Sequence, residues 1–74
     1  MAVTSNEVKA ALEIVKAVAD AIRELGSVPS GHLYSVMMST VSLREFERII
    51  GILKQAGVVS ESPQHLLTWI GPKD

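Results

Sequence analysis

Residues 42–70, with the sequence SLREFERIIGILKQAGVVSESPQHLLTWI, constrain the fold of this 74-residue chain most strongly. Ser42 and Glu45 have the spacing of a capping box, in which each side chain accepts a hydrogen bond from the other residue's backbone N–H at the start of a helix. Gly57 is placed to end that helix, because glycine readily adopts the left-handed conformation found at helix C-termini. The segment therefore predicts a helix over residues 43–56.

A β-hairpin is predicted over residues 58–70, directly after this helix. Two valines begin its first strand, and Ser62, Pro63 and Gln64 form the turn, because proline is preset for the second position of a turn. The second strand is rich in Leu, Thr, Trp and Ile. We expect Trp69 to pack on the helices; an exposed aromatic anchor at an interface is the alternative.

The first helix is predicted over residues 5–25, between a second capping box at Thr4 and Glu7 and a second glycine stop at Gly26. Apolar residues form two neighbouring stripes along it, whereas an ordinary surface helix shows one. The helix therefore has apolar surface for two neighbours, and we expect one of them to be a second copy of the chain. The residues predicted at this homodimer interface are Ala10, Ile14, Ala17 and Ala21.

A short strand and a second helix are predicted between these two long helices. Pro29 disfavours a helical conformation of the preceding residue, so Val28 is expected to form a brief first strand of the sheet. Ser30 is predicted to be the N-cap of a helix over residues 31–39. The residues of this helix expected to face the core are Leu33, Val36 and Met37.

The third helix has one apolar face and one polar face at helical spacing. Its predicted buried residues are Leu43, Phe46, Ile49, Ile50, Leu53 and Ala56. Its predicted outward residues are Arg44, Glu47, Arg48, Gly51 and Gln55, with Lys54 at the margin. Glycine inside a helix costs about 0.8–1.0 kcal/mol relative to alanine, so we expect the backbone of DNA or of a partner to approach Gly51 closely. Simple tolerance of glycine, on a helix held by its buried face, is the alternative.

In residues 28–70 the chain resembles the winged helix-turn-helix of small regulators of the MarR and ArsR kind. Leu53, Gly57 and Val58 match the Leu-x-x-x-Gly-hydrophobic signature at the end of the third helix in these proteins. The resemblance implies a single domain over residues 1–74 that is mainly α with a small β-hairpin (α+β), with three helices and a two- to three-stranded wing. It also implies that the third helix lies in the major groove of DNA. The nucleic-acid-binding candidates are Ser42, Arg44, Arg48, Lys54 and Gln55.

The charge distribution leaves two functions open. The chain has a net charge of −1, and residues 42–70 contain three cations and three anions. Affinity for DNA depends strongly on neutralised phosphates, and the wing contains Glu61 but no Lys or Arg. The first possibility is a DNA-binding transcriptional regulator that acts as a homodimer, with weak electrostatic attraction to duplex DNA. The alternative is a winged-helix module that binds another protein and not DNA, through the apolar side of the first helix or through the face with Arg44 and Gly51. The arginines themselves could also have no binding role, on an exposed helix face where Arg44 pairs with Glu47.

Other functional classes find little support in the sequence. The chain has no cysteine and only two histidines, so we expect no disulfide, metal site or cofactor. It has no phosphate-binding loop or nucleophile motif, and its length leaves little room for a substrate pocket of a few hundred Å³, so we do not expect an enzyme. No apolar run approaches the roughly 18 residues that span a bilayer, and the N-terminus lacks the pattern of a signal peptide. These features predict a cytoplasmic protein with no membrane partner.

Overall fold

A computed structural model describes the backbone of residues 5–72 and the side chains of Lys9 and residues 11–72. Within this range three helices and three strands follow one another as α1 (Ser5–Leu25), β1 (Ser27–Pro29), α2 (Ser30–Met37), α3 (Leu43–Gln55), β2 (Val59–Glu61) and β3 (Leu66–Trp69). The strands form one antiparallel sheet in which β3 lies between β1 and β2. The fold is therefore mixed α+β with a winged-helix-like layout, as predicted.

Glycines in the left-handed conformation end both long helices. Gly26 has a φ of +82° and donates its N–H to the carbonyl oxygen four residues earlier, at 2.8 Å. Gly57 has a φ of +77° and donates its N–H to Lys54 O at 3.1 Å, while Val58 donates to Leu53 O at 3.2 Å. These last two bonds are those of a Schellman motif, which satisfies carbonyl groups at a helix C-terminus. Both predicted stops are confirmed.

Ser62 organises the turn between β2 and β3. Its carbonyl oxygen accepts the N–H of His65 at 2.8 Å, and Pro63 occupies the second position of this turn, as predicted. Its hydroxyl oxygen also accepts the N–H groups of Gln64 at 3.2 Å and Leu66 at 3.1 Å. One serine therefore satisfies three backbone donors, which fixes the register at which β3 begins.

The core lies between the inner face of the sheet and the three helices. Val28 of β1 pairs with Leu67 of β3, and Leu67 is completely buried. Trp69 is half-buried against the same core, and its Nε1 donates to the carbonyl oxygen of Pro72 at 2.8 Å, so the predicted packing of this tryptophan is confirmed. The buried residues are Val18, Ile22, Val28, Leu33, Val41, Phe46, Ile49, Ile50, Leu53, Val59 and Leu67.

Three residues predicted to be buried are exposed. Val36 is exposed because α2 is rotated so that Tyr34 faces the core in its place, beside Leu33 and Met37, which face the core as predicted. Leu43 and Ala56 are also exposed, although the four residues predicted between them on the inner face of α3 are buried. Leu43 is the first residue of α3 and Ala56 is its C-cap, so both lie at the ends of the helix.

Ser30 is not the N-cap of α2. It is the first helical residue, and Pro29 occupies the N-cap position in an extended conformation without a side-chain hydrogen bond. The N–H of Ser30 instead donates to the carbonyl oxygen of His65 at 2.8 Å, because the start of β3 lies beside the helix N-terminus. The other predicted capping box, Thr4 with Glu7, lies outside the residues whose side chains the structure describes.

Candidate functional site

The start of α3 is held by the predicted capping box. Ser42 Oγ accepts the N–H of Glu45 at 3.2 Å and donates to Glu45 Oε1 at 3.1 Å, while the N–H of Ser42 lies 3.4 Å from the same carboxylate oxygen. Both side chains are therefore committed to the helix terminus. Ser42 stays a nucleic-acid-binding candidate, but its hydroxyl group is already hydrogen-bonded to Glu45.

Arg44 and Arg48 lie one helical turn apart on the outward side of α3. Both are exposed, and neither makes an ion pair or a side-chain hydrogen bond with any residue in the described part of the chain. The alternative ion pair between Arg44 and Glu47 does not form. Two guanidinium groups are therefore available on one side of the helix, with Gln55 exposed nearer its C-terminal end.

Lys54 is occupied by an ion pair that crosses from α3 to the hairpin. Its Nζ lies 2.9 Å from Oε1 of Glu61, and the other carboxylate oxygen of Glu61 lies 2.9 Å from Nδ1 of His65. The hydrogen bonds from Lys54 and then His65 lower the pKa of Glu61 below its ordinary value. Lys54 is therefore a poor candidate for a phosphate contact, because its charge is already balanced.

His65 joins this cluster through an unusual backbone conformation. Its φ is +64°, the only positive value at a non-glycine position in the described chain. This geometry points its carbonyl group at Ser30 and its ring at Glu61. No sequence motif predicts this role, because the contact depends on how the hairpin packs against α2 and α3.

A groove runs beside α3, between the N-terminal end of α2 and the hairpin. Its volume is about 380 Å³, more than the chain length led us to expect. Its apolar lining residues are Tyr34, Leu43, Phe46 and Ile50, together with Gly31 and Gly51. Its polar residues are Glu47, Lys54, Glu61 and His65, together with Ser30. We call this the Gly51 groove.

Gly51 lies open to this groove. A Cβ atom built on it would meet nothing within 4 Å in the described chain, so no neighbouring element of the same protomer requires glycine here. The predicted close approach of a second backbone stays a prediction. The structure shows open space beside Gly51, into which such a backbone could fit.

The predicted dimer residues of α1 differ in their surroundings. Ala17 is exposed, whereas Ile14 and Ala21 are half-buried and pack partly against the protein's own core. The side chain of Ala10 lies outside the described residues. The same helix exposes 63% of Leu12, which the prediction did not include.

A second, smaller groove separates α1 from α3. Its volume is about 170 Å³, and its residues are Ala11, Ile14, Val15, Ile49 and Ile52, with Glu45 and Arg48 at the polar side. The sequence pattern did not assign Ile52 to either face of α3, and in the structure this residue is 46% exposed. We call this the α1–α3 groove. It extends the apolar surface of α1 onto a second helix.

The described residues contain no group of three or more His, Cys, Asp or Glu side chains that could hold a metal ion. Among the same residues, no helix combines the length and apolar character needed to cross a membrane. Comparisons of the chain with protein-family models, with curated proteins and with solved structures find no match.

Proposed function

We propose that this chain is a small DNA-binding protein that acts as a homodimer in the regulation of transcription, with α3 in the major groove. The observation that carries the proposal is the pair Arg44 and Arg48, exposed on one side of α3 and without an ion-pair partner among the described residues. Such a role would place the protein in the cytoplasm, with access to DNA.

Two arginines at this spacing suit DNA for a geometric reason. Side chains four residues apart on a helix lie on the same side, so both can enter one groove together. A guanidinium group can donate two hydrogen bonds to guanine in the major groove, and it pairs with phosphate in the same bidentate manner. Gln55 adds an amide that is chemically suited to adenine.

Binding by one protomer is expected to be weak. Glu45 and Glu47 lie between the two arginines in sequence, and Lys54 is paired with Glu61. A dimer would present four arginines. Each phosphate contacted contributes about −0.9 to the slope of log K against log salt. If all four contact phosphates, the slope of log K against log salt would be about −4.

The two helices that line the α1–α3 groove offer a surface for the dimer. Leu12 and Ala17 are exposed on α1, and Ile52 is exposed on the neighbouring helix. Burying such side chains against a second copy removes apolar surface from water, at about 25 cal/mol per Å². Ile14 lines this groove together with Ile52, so part of the interface predicted from the sequence is retained in the proposal.

A salt titration of binding to random-sequence duplex DNA tests the proposal. Fluorescence anisotropy should show binding at low salt that weakens steeply as salt is added. The variant Arg44→Ala/Arg48→Ala should lose affinity by at least about tenfold. The control Lys9→Ala/Lys16→Ala removes the same charge from exposed positions of α1 and should bind nearly as well as the native protein. Equal losses in both variants, or no salt-sensitive binding, would reject the proposal.

A second candidate function is supported by the Gly51 groove. A half-open apolar surface of this size is a feature of sites that bind peptide segments or small ligands. Its charged residues include two carboxylates and one lysine, which is unfavourable for phosphate. The second candidate is therefore a winged-helix module that binds another protein through this groove.

A further inference from the structure

The Gly51 groove has a floor that is preformed in the isolated protomer. The rings of Tyr34 and Phe46 pack at a centroid distance of 5.3 Å with an interplanar angle of 56°, which fixes one side of the groove. Ile50 also lines the groove, and a Cβ atom built on Gly51 would meet nothing within 4 Å, so there is open space beside Gly51. A large apolar side chain could therefore enter without displacing any residue of the protomer.

The charges around this floor select against an anion. Glu47 is exposed and makes no ion pair with a described residue. Glu61 is paired with Lys54, so Lys54 leaves no charge to balance Glu47. With His65 neutral, the groove-lining residues sum to a formal charge of −1, from two Glu and one Lys. A phosphate in the groove would face two carboxylates, whereas a cation would meet an unpaired one.

We propose that the Gly51 groove binds a protein segment in which a lysine or arginine lies next to a bulky apolar residue. The apolar side chain occupies the space above Gly51, against Phe46 and Tyr34. The neighbouring cation pairs with the carboxylate of Glu47. This inference rests on the second candidate function and names the chemistry of its partner.

The apolar residue and the basic residue of this segment contribute to binding for different physical reasons. Removing a large apolar side chain from water supplies most of the affinity when the side chain is fully buried. An exposed charge pair adds much less, so the cation mainly decides which segments bind. A purely apolar segment would therefore bind without discrimination, and an acidic one would be repelled.

Selection from a random peptide library on the purified protein tests the proposal. The library is first depleted on the variant Gly51→Leu, in which the new side chain fills the groove. The peptides that remain and then bind the native protein should be enriched in Lys or Arg next to Leu, Ile, Phe or Trp. Peptides that lack a basic residue, or no peptides that distinguish the two proteins, would overturn the proposal.

Reversal of the charge at Glu47 is the second experiment that tests the proposal. For the selected peptides, Glu47→Lys should weaken binding by about threefold to tenfold, since it replaces an attraction with a repulsion. Glu24→Lys makes the same change at an exposed position of α1, outside the groove, and should leave the affinity unchanged. Equal effects of the two variants, or no effect of either, would overturn the assignment of the cation to Glu47.

The same variant separates this proposal from DNA binding. Glu47→Lys adds a cation beside Arg44 and Arg48, so it should strengthen binding to duplex DNA while it weakens binding to the basic peptides. If the native protein binds duplex DNA but selects no peptides that distinguish it from the variants, only the groove proposal is rejected. If the native protein selects such peptides but does not bind duplex DNA, only the first proposed function is rejected.

Discussion

A Cβ atom built at Gly51 meets nothing within 4 Å in the described chain, whereas one built at Gly71 lies 2.7 Å from Cγ1 and 2.8 Å from Cβ of Val58. Gly51→Ala should therefore raise the free energy of unfolding by about 0.8–1.0 kcal/mol, the helix propensity difference. Gly71→Ala should lower it by about 1–3 kcal/mol, because the branched Val58 side chain must shift close to its own backbone. Chemical denaturation measures both, and a destabilised Gly51→Ala would show that glycine is needed within the protomer.

The cluster around Glu61 predicts a pH-dependent contribution to stability. Its pKa is lowered in the folded protein, chiefly by the hydrogen bond from Lys54 and then by that from His65. Folding therefore gains from this group above the ordinary carboxyl pKa of 4.5, and the gain is lost as the pH falls through the lowered pKa of the folded protein. Because the group is near the surface, the gain at neutral pH is about 0.2–1 kcal/mol.

Glu61→Gln should accordingly reduce the free energy of unfolding at pH 7 by about that amount, with the difference from the native protein shrinking below about pH 4. Denaturation midpoints between pH 3 and pH 7 provide the measurement. Glu47→Gln is the matched control, since Glu47 makes no ion pair with a described residue. A Glu61→Gln deficit that stays constant across this pH range would contradict the assigned role of the carboxylate.

The C-terminal end of α3 sets the direction in which the chain enters the hairpin. Gly57 must hold a φ of +77° for the two Schellman hydrogen bonds to form, and an L-residue with a Cβ atom adopts this region at a cost of roughly 1–2 kcal/mol. Gly57→Ala should therefore destabilise the fold by about that amount. Gly31→Ala is a useful comparison, because Gly31 lies in α2 without a positive φ and a Cβ there has open space. Similar losses in both variants would argue against a special role for the helix end.

The elements that could be predicted from the sequence are those fixed by local chemistry. The Ser42–Glu45 box, Gly57 and the turn beginning at Ser62 each act within a few residues, so their spacing alone predicts them. The errors arise where distant elements decide the outcome. The rotation of α2 turns Val36 outward, and the carbonyl group of His65 takes the N–H of Ser30.

The candidate site shows the same division between local and tertiary information. The exposure of Arg44 and Arg48 follows from the helical period, and the structure agrees with it. The pairing of Lys54 with Glu61 does not follow from that period, because it joins a helix to a strand of the wing. For the whole molecule, this pairing reduces the usable cations of residues 42–70 from three to two. In the Gly51 groove Lys54 and Glu61 balance each other, so the excess negative charge comes from Glu47. Glu47 also lies on the outward side of α3 between Arg44 and Arg48, so the surfaces of the two candidate functions adjoin at this residue.

The whole-molecule question that the two functions share is whether a second copy covers α1. Leu12 and Leu25 lie on this helix and are almost equally exposed, at 63% and 61%. Only Leu12 has the i,i+3 spacing to a residue of the α1–α3 groove, Val15, that places two side chains on the same side of a helix. Replacing a buried interface leucine with glutamate places a charge in an apolar contact, which strongly disfavours association. Leu12→Glu should therefore sediment at the 8.0 kDa mass of the monomer, while the native protein and Leu25→Glu sediment at about twice that mass at micromolar concentration. If the native protein is monomeric at high micromolar concentration, no dimer forms, and DNA would be contacted by only two arginines at a time. If both variants remain dimeric, the dimer forms through another surface.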